Sequence, residues 1–224
     1  MIIEICATTI KSVLNANMAG ADRIELCSNY NVGGLTPSIK FIKEALNISR
    51  IPIHVLVRPR PGNFIYNTNE IDKMKKDIMS IMQLGVNGFV VGSIKLNGEI
   101  DDEFINDVRE LTNNLDLTFH RSFDNLNNQK KSIDMLVDSG FSRILCSGNQ
   151  SDAINGIENL ISLNKYSNNR ITIMPGGGIN KENCLEFKNL GFKEIHLSGI
   201  LKSESSNTLD SDLKTIEEIV SKTK

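Results

Sequence analysis

The stretch GADRIELCS (20–28) places a glycine four positions ahead of Ile24, in a run where apolar and polar side chains alternate. A glycine at C′ of a helix, where φ is often positive, followed at once by a period-2 run reads as a helix turning into a strand. The same step recurs at Gly85 with Phe89, Gly140 with Ile144 and Gly191 with Ile195. Successive glycines are roughly two βα units apart, at about 25–30 residues per unit. The runs between them complete the set: IIEICA (2–7), IPIHVLVRP (51–59), LDLTFHR (115–121) and ITIMPG (171–176). With RIELCS, GFVVGSI, RILCSG and EIHLSGI they make eight strands, separated by helical patterns such as EIDKMKKDIMSIMQL and DDEFINDVRELT. Strands alternating with helices give a parallel sheet, and eight such units predict a closed (β/α)8 TIM barrel, one α/β domain over 1–224. An open doubly wound sheet would more usually carry GxGxxG after its first strand, and ATTIKS there has no glycine.

Helix signals agree. Thr36-Pro37 reads as a cap before an N1 proline, and Asn67 with Glu70 as a capping box. Residues 201–209 read as a polar loop, and 210–223 as a closing helix capped by Asp210 or Ser211.

Composition excludes several classes. No apolar run reaches the length of a membrane span, and the start, MIIEICATT, lacks the basic region of a signal peptide. The net charge of −2 and the absence of Trp leave no footprint for nucleic acid, and KMKK (73–76) reads as a solvated helix face. Cys6, Cys27, Cys146 and Cys184 form no C-x-x-C pair and read as reduced, cytosolic thiols.

Side-chain parity then sorts each strand. Ile3/Ile5, Ile24/Leu26, Ile53/Val55/Val57, Leu117/Phe119 and Ile195/Leu197 belong to the helix-facing set. Glu4, Cys6, Glu25, Cys27, His54, Leu56, Arg58, Arg60, Thr118, His120, His196 and Ser198 fall inward, with Ser122 and Asp124 continuing near the rim. Buried acids need cations, and Arg58 and Arg60 are the expected partners of Glu4 and Glu25. One reading is an enzyme acting on a small anionic or phosphorylated metabolite. Glu4, Glu25, His120 and Asp124 would do acid–base work, and Arg58 and Arg60 would orient the anion. Asp124 could equally cap the next helix. The loop PGGGIN (175–180), with Gly176, Gly177 and Gly178, and Ser198-Gly199 after strand eight would cradle an anion, with Ser147 and His196 beside them. The inward set holds no lysine at a strand end, which disfavours Schiff-base chemistry.

The combination of EICATT (4–9), GADRIELCS (20–28), VRPRPGNFIY (57–66), FHRSFD (119–124), LCSG (145–148) and MPGGGI (174–179) resembles the copper homeostasis protein CutC family. The resemblance implies a cytoplasmic TIM barrel that self-associates and is linked to copper, with Cys6 and Cys27 at the positions proposed to hold Cu(I). Soft Cu(I) prefers thiolate. Asn63 and Ser122 depart from the family pattern, where Asp and Ala are common. Metal handling and catalysis on an anion both stay open at this point.

Overall fold

A computed structural model describes residues 1–201 and 209–224. The eight strands are β1 Ile2–Ala7, β2 Arg23–Leu26, β3 Ile53–Leu56, β4 Gly88–Val91, β5 Asp116–Phe119, β6 Arg143–Cys146, β7 Thr172–Pro175 and β8 Glu194–Leu197. The helices between and after them are α1 Ile10–Met18, α2 Ile39–Ile48, α3 Thr68–Met82, α4 Asp102–Thr112, α5 Gln129–Asp138, α6 Ile157–Ser167, α7 Cys184–Asn189 and α8 Leu213–Thr223. All neighbouring strands pair in parallel, in the order β7-β6-β5-β4-β3-β2-β1-β8. A bridge between Gly176 and His196 joins the two ends, so the sheet closes into the expected barrel.

The alternation read from sequence separates two layers. Ile3, Ile5, Ile24, Leu26, Ile53, Val55, Phe89, Phe119, Ile144 and Ile195 are buried in one apolar layer shared with the helices. Burial of such side chains, at about 25 cal/mol per Å² of apolar surface, is the main drive for closing the barrel. The four repeat glycines all have positive φ, between 70° and 83°, as a helix-ending residue before a strand requires.

Caps follow the sequence at α3, where Asn67 and Glu70 form the reciprocal box. They differ in two places. Ser38, not Thr36, caps α2 by accepting from Phe41 N, while Thr36 Oγ1 pins the end of β3 by accepting from Arg58 N and donating to Arg58 O. Asp212 caps α8 by accepting from Thr215 N; Asp210 instead accepts from Thr9 Oγ1 at 2.6 Å. The polar segment expected at 201–209 lies, but for its two ends, outside the described residues.

Candidate functional site

Inside the barrel the lowest inward residues form a ladder of alternating charge. Arg23, at the start of β2, donates from Nε to Glu4 and from Nη2 to Glu194, and Nη2 also meets Met174 Sδ at 3.4 Å. Arg143 donates from Nη2 to Asp116 at 2.9 Å; its Nε stands 3.2 Å from Glu194, without the alignment of a hydrogen bond. His54 sits against Arg143 and Asp116, and burial pushes its imidazole down to about 3, so it is neutral. The expected cations were therefore wrong: Arg23, not Arg58 or Arg60, balances Glu4. The strand alternation itself pointed there, since Arg23, Asp116, Arg143 and Glu194 each stand two residues before an inward side chain.

Above this ladder Glu4 Oε1 meets His196 Nδ1 at 2.7 Å, and Glu25 Oε2 lies 4.0 Å from the same nitrogen. Burial would raise Glu4, but the Arg23 guanidinium and His196 outweigh it and hold the carboxyl well below its usual range. For Glu25 burial outweighs the pull of His196, 4.0 Å away, and lifts the carboxyl to about 7. Burial would likewise depress His196, yet Glu25, Cys6 and Glu4 hold the imidazolium well above 6.5. Cys6 Sγ lies 3.3 Å from Cys27 Sγ, and both are buried with Leu56 and Val90. The hydrogen bond between Cys6 and Cys27, then burial, pushes the Cys6 thiol up. Cys6, Glu25 and His196 offer ligand atoms that all lie within 4.8 Å of one another.

The mouth is built from the loops. His120 follows β5 directly, with Nδ1 accepting from Ser122 N at 3.1 Å, and burial, then the Arg58 charge, drives its imidazole to about 3. Arg58 donates to the carbonyls of Val32, Gly34 and Gly62. Arg60 does not point inward: past Pro59 the chain has left the strand, and Arg60 pairs with Glu70 on α3 at 2.5 Å. Asp124 stands in a 3-10 turn, Arg121–Asn125, and accepts from Ser147 N, Ser147 Oγ, Asn149 N and Arg121 Nε. It thus latches the loop after β6, and makes no cap to α5, which Asn128 caps. Replacing Asp124 by Ala orphans two backbone N–H groups and is expected to cost about 2 kcal/mol in urea unfolding.

Gly176 N donates to Cys146 O, and a Cβ there would stand 2.4 Å from Leu145 Cδ1, so any larger residue would have to displace the Leu145 side chain. Gly177 and Gly178 have positive φ, and their carbonyls accept from Ala153 N and from the amides of Asn180 and Asn183. Ser198 Oγ accepts from Tyr30 OH at 3.0 Å, and Gly199 O accepts from Asp212 N. Tyr30 and Phe64, which reach the mouth from loops, had no periodic signal to announce them.

A parallel (β/α)8 barrel with a buried thiol, carboxylate and imidazole cluster at the upper end of its strands is thus the class this chain defines. Its residues 1–201 match the model of the CutC family, and the chain belongs to that family. A CutC family protein of Aliivibrio fischeri strain MJ11 is 42% identical over 200 residues, covering 88% of this chain and 81% of the relative. A human copper homeostasis protein cutC homolog is 36% identical over 214 residues, covering 95% and 76%. The crystal structure of a copper homeostasis protein CutC from Streptococcus agalactiae, 40% identical, superposes with a TM-score of 0.83 over 88% of this chain and 97% of that one.

Proposed function

We propose that this chain takes up Cu(I) at Cys6 and Cys27, with His196 as the third donor, as its part in copper homeostasis. The observation that carries the reading is the buried sulfur pair, 3.3 Å apart, inside a barrel of this family. Two thiolates suit a soft monovalent ion. If metal–thiolate bonds are near the ~2.3 Å of zinc sites, a 3.3 Å sulfur separation closes an angle of about 90° at the metal. That is far from linear, so the pair leaves a place for a further ligand. His196 fills it better than Glu25, because imidazole is the softer donor. Its Nδ1 already bonds Glu4, which orients the ring and leaves Nε2 for the ion, the arrangement usual for ligating histidines.

The metal-free site holds its protons: Cys6 is pushed up and His196 is held as imidazolium. Uptake must expel them, so affinity rises with pH. The same reading puts the chain in a reducing, cytoplasmic setting, where its four free cysteines stay thiols. Competition against a chromophoric Cu(I) chelator under reducing conditions should give one ion per chain. Cys27→Ser should weaken binding by at least about 100-fold, the upper range for lost support of a metal site. Absence of stoichiometric uptake, or equal affinity in Cys27→Ser, would remove the proposal.

A further inference from the structure

Extended two residues past the last β3–β4 pair and one past the last β4–β5 pair, the strand registers set Arg58, Gly92 and His120 side by side. The middle position brings no side chain. His120 and Ser122 press onto its bare backbone: a Cβ on Gly92 would stand 2.3 Å from Ser122 Oγ and 2.6 Å from the His120 ring. Phe64 lies against both flanks, 4.9 Å from Arg58 Cζ and 4.8 Å from the His120 centroid.

Arg58 Nε, His120 Nε2 and Ser122 Oγ are buried here with no hydrogen-bond partner among the described residues. Their residues are 5%, 5% and 0% exposed. The other nitrogens of Arg58 donate to neutral carbonyls, the neutral Tyr66 hydroxyl stands beside the guanidinium, and no carboxylate among the described residues lies within ion-pair distance of it. Leaving a buried guanidinium without a counter-charge costs several kcal/mol, and each orphaned donor about 1–3 kcal/mol more. The Ser122 N–H bond to His120 Nδ1 fixes the tautomer, so Nε2 carries the proton and donates. All three free atoms can donate, and one positive charge is unbalanced.

We propose that this cluster binds the carboxylate of a small monoanion, with Arg58 Nε and His120 Nε2–H each donating to a carboxylate oxygen and Ser122 Oγ completing the set. A phosphate dianion brings two charges to one guanidinium and more acceptors than there are donors. The site adjoins the copper reading at Gly34, whose carbonyl accepts from Arg58 and where a Cβ would meet Cys27 Sγ at 3.4 Å. It uses neither thiol and stands independently of metal uptake.

Chelator-treated protein is titrated with sodium acetate and with inorganic phosphate, against sodium chloride at matched ionic strength. Binding is followed by thermal shift and by 1H–15N spectra of the histidine side chains. Acetate should bind saturably, raise Tm and shift the Nε2–H of one histidine. Ser122→Ala should weaken it about threefold to tenfold, and Arg58→Met at least about tenfold, as loss of a neutral and a charged hydrogen bond implies. Should Arg58→Met not fold, Ser122→Ala, which removes one small side-chain oxygen, decides the matter. No saturable acetate binding, phosphate binding as tight as acetate, or acetate affinity unchanged in Ser122→Ala would each overturn the proposal. So would a crystal grown in acetate whose density between Arg58 and His120 refines as water alone.

Discussion

Arg23→Met is expected to destabilise the protein by about 3–5 kcal/mol in urea unfolding at pH 7, the range for removing one partner of a buried ion pair. Among the described residues Arg23 is the one bonded to both Glu4 and Glu194, and all three are nearly inaccessible. Methionine matches its length and could pack beside Met174, but it leaves Glu4 with only His196 and leaves Glu194 with Arg143 at 3.2 Å. The cost is that of a stranded charge rather than of lost packing. The triple variant Arg23→Met, Glu4→Gln, Glu194→Gln should therefore recover most of the loss, since replacing a whole buried ionic network by neutral groups is often near neutral. Lys73→Ala, which removes an exposed i,i+4 pair with Asp77, should change stability by less than about 1 kcal/mol. A loss below about 1 kcal/mol for Arg23→Met would mean that the ladder contributes no more than surface pairs do.

That ladder also shows how far strand alternation carries. The barrel was legible because every second helix is followed by a glycine and each strand sends every second side chain to the helices: Ile24 and Leu26 outward, Glu25 and Cys27 inward. The same rule brought Glu4, Glu25, Cys6, Cys27 and His196 to one chamber. It stopped working where the strands stop. Arg60 stands beyond Leu56, the last residue of β3, with Pro59 between, and turns outward to Glu70. Asp124 lies in a 3-10 turn with its own geometry, and its carboxylate is spent on the loop after β6. Partner choice was less legible than direction. Guanidiniums at positions 23 and 58 both have inward parity, and only their height in the barrel assigns Arg23 to the acids and Arg58 to the mouth. Height depends on strand stagger, which the sequence does not print.

Glu25→Gln is expected to remove a pH dependence and to raise stability above neutrality. In the folded chain burial lifts Glu25 from an ordinary value of 4.5 to about 7. A carboxyl raised on folding binds its proton more tightly in the native state. Its contribution is fully present below pH 4.5 and is lost as pH climbs through about 7. At ~1.36 kcal/mol per pH unit, that loss is about 3 kcal/mol by pH 8. His196, also raised on folding, acts in the same direction: its contribution is complete below 6.5 and fades as pH passes its folded value. Glu4 works the other way. Its folded value is depressed, so its contribution is present above 4.5 and is lost as pH falls through that folded value. Chelator-treated wild-type protein should therefore be most stable in mildly acid solution, between the loss of Glu4 below and of Glu25 and His196 above. Glutamine keeps the volume and cannot titrate. Urea midpoints for the two proteins should run close together near pH 4.5 and diverge to about 2–3 kcal/mol in favour of Glu25→Gln at pH 8. Parallel profiles from pH 4.5 to 8 would show that Glu25 is already ionised at pH 4.5 in the folded chain, with its charge carried by His196 across the 4.0 Å between them.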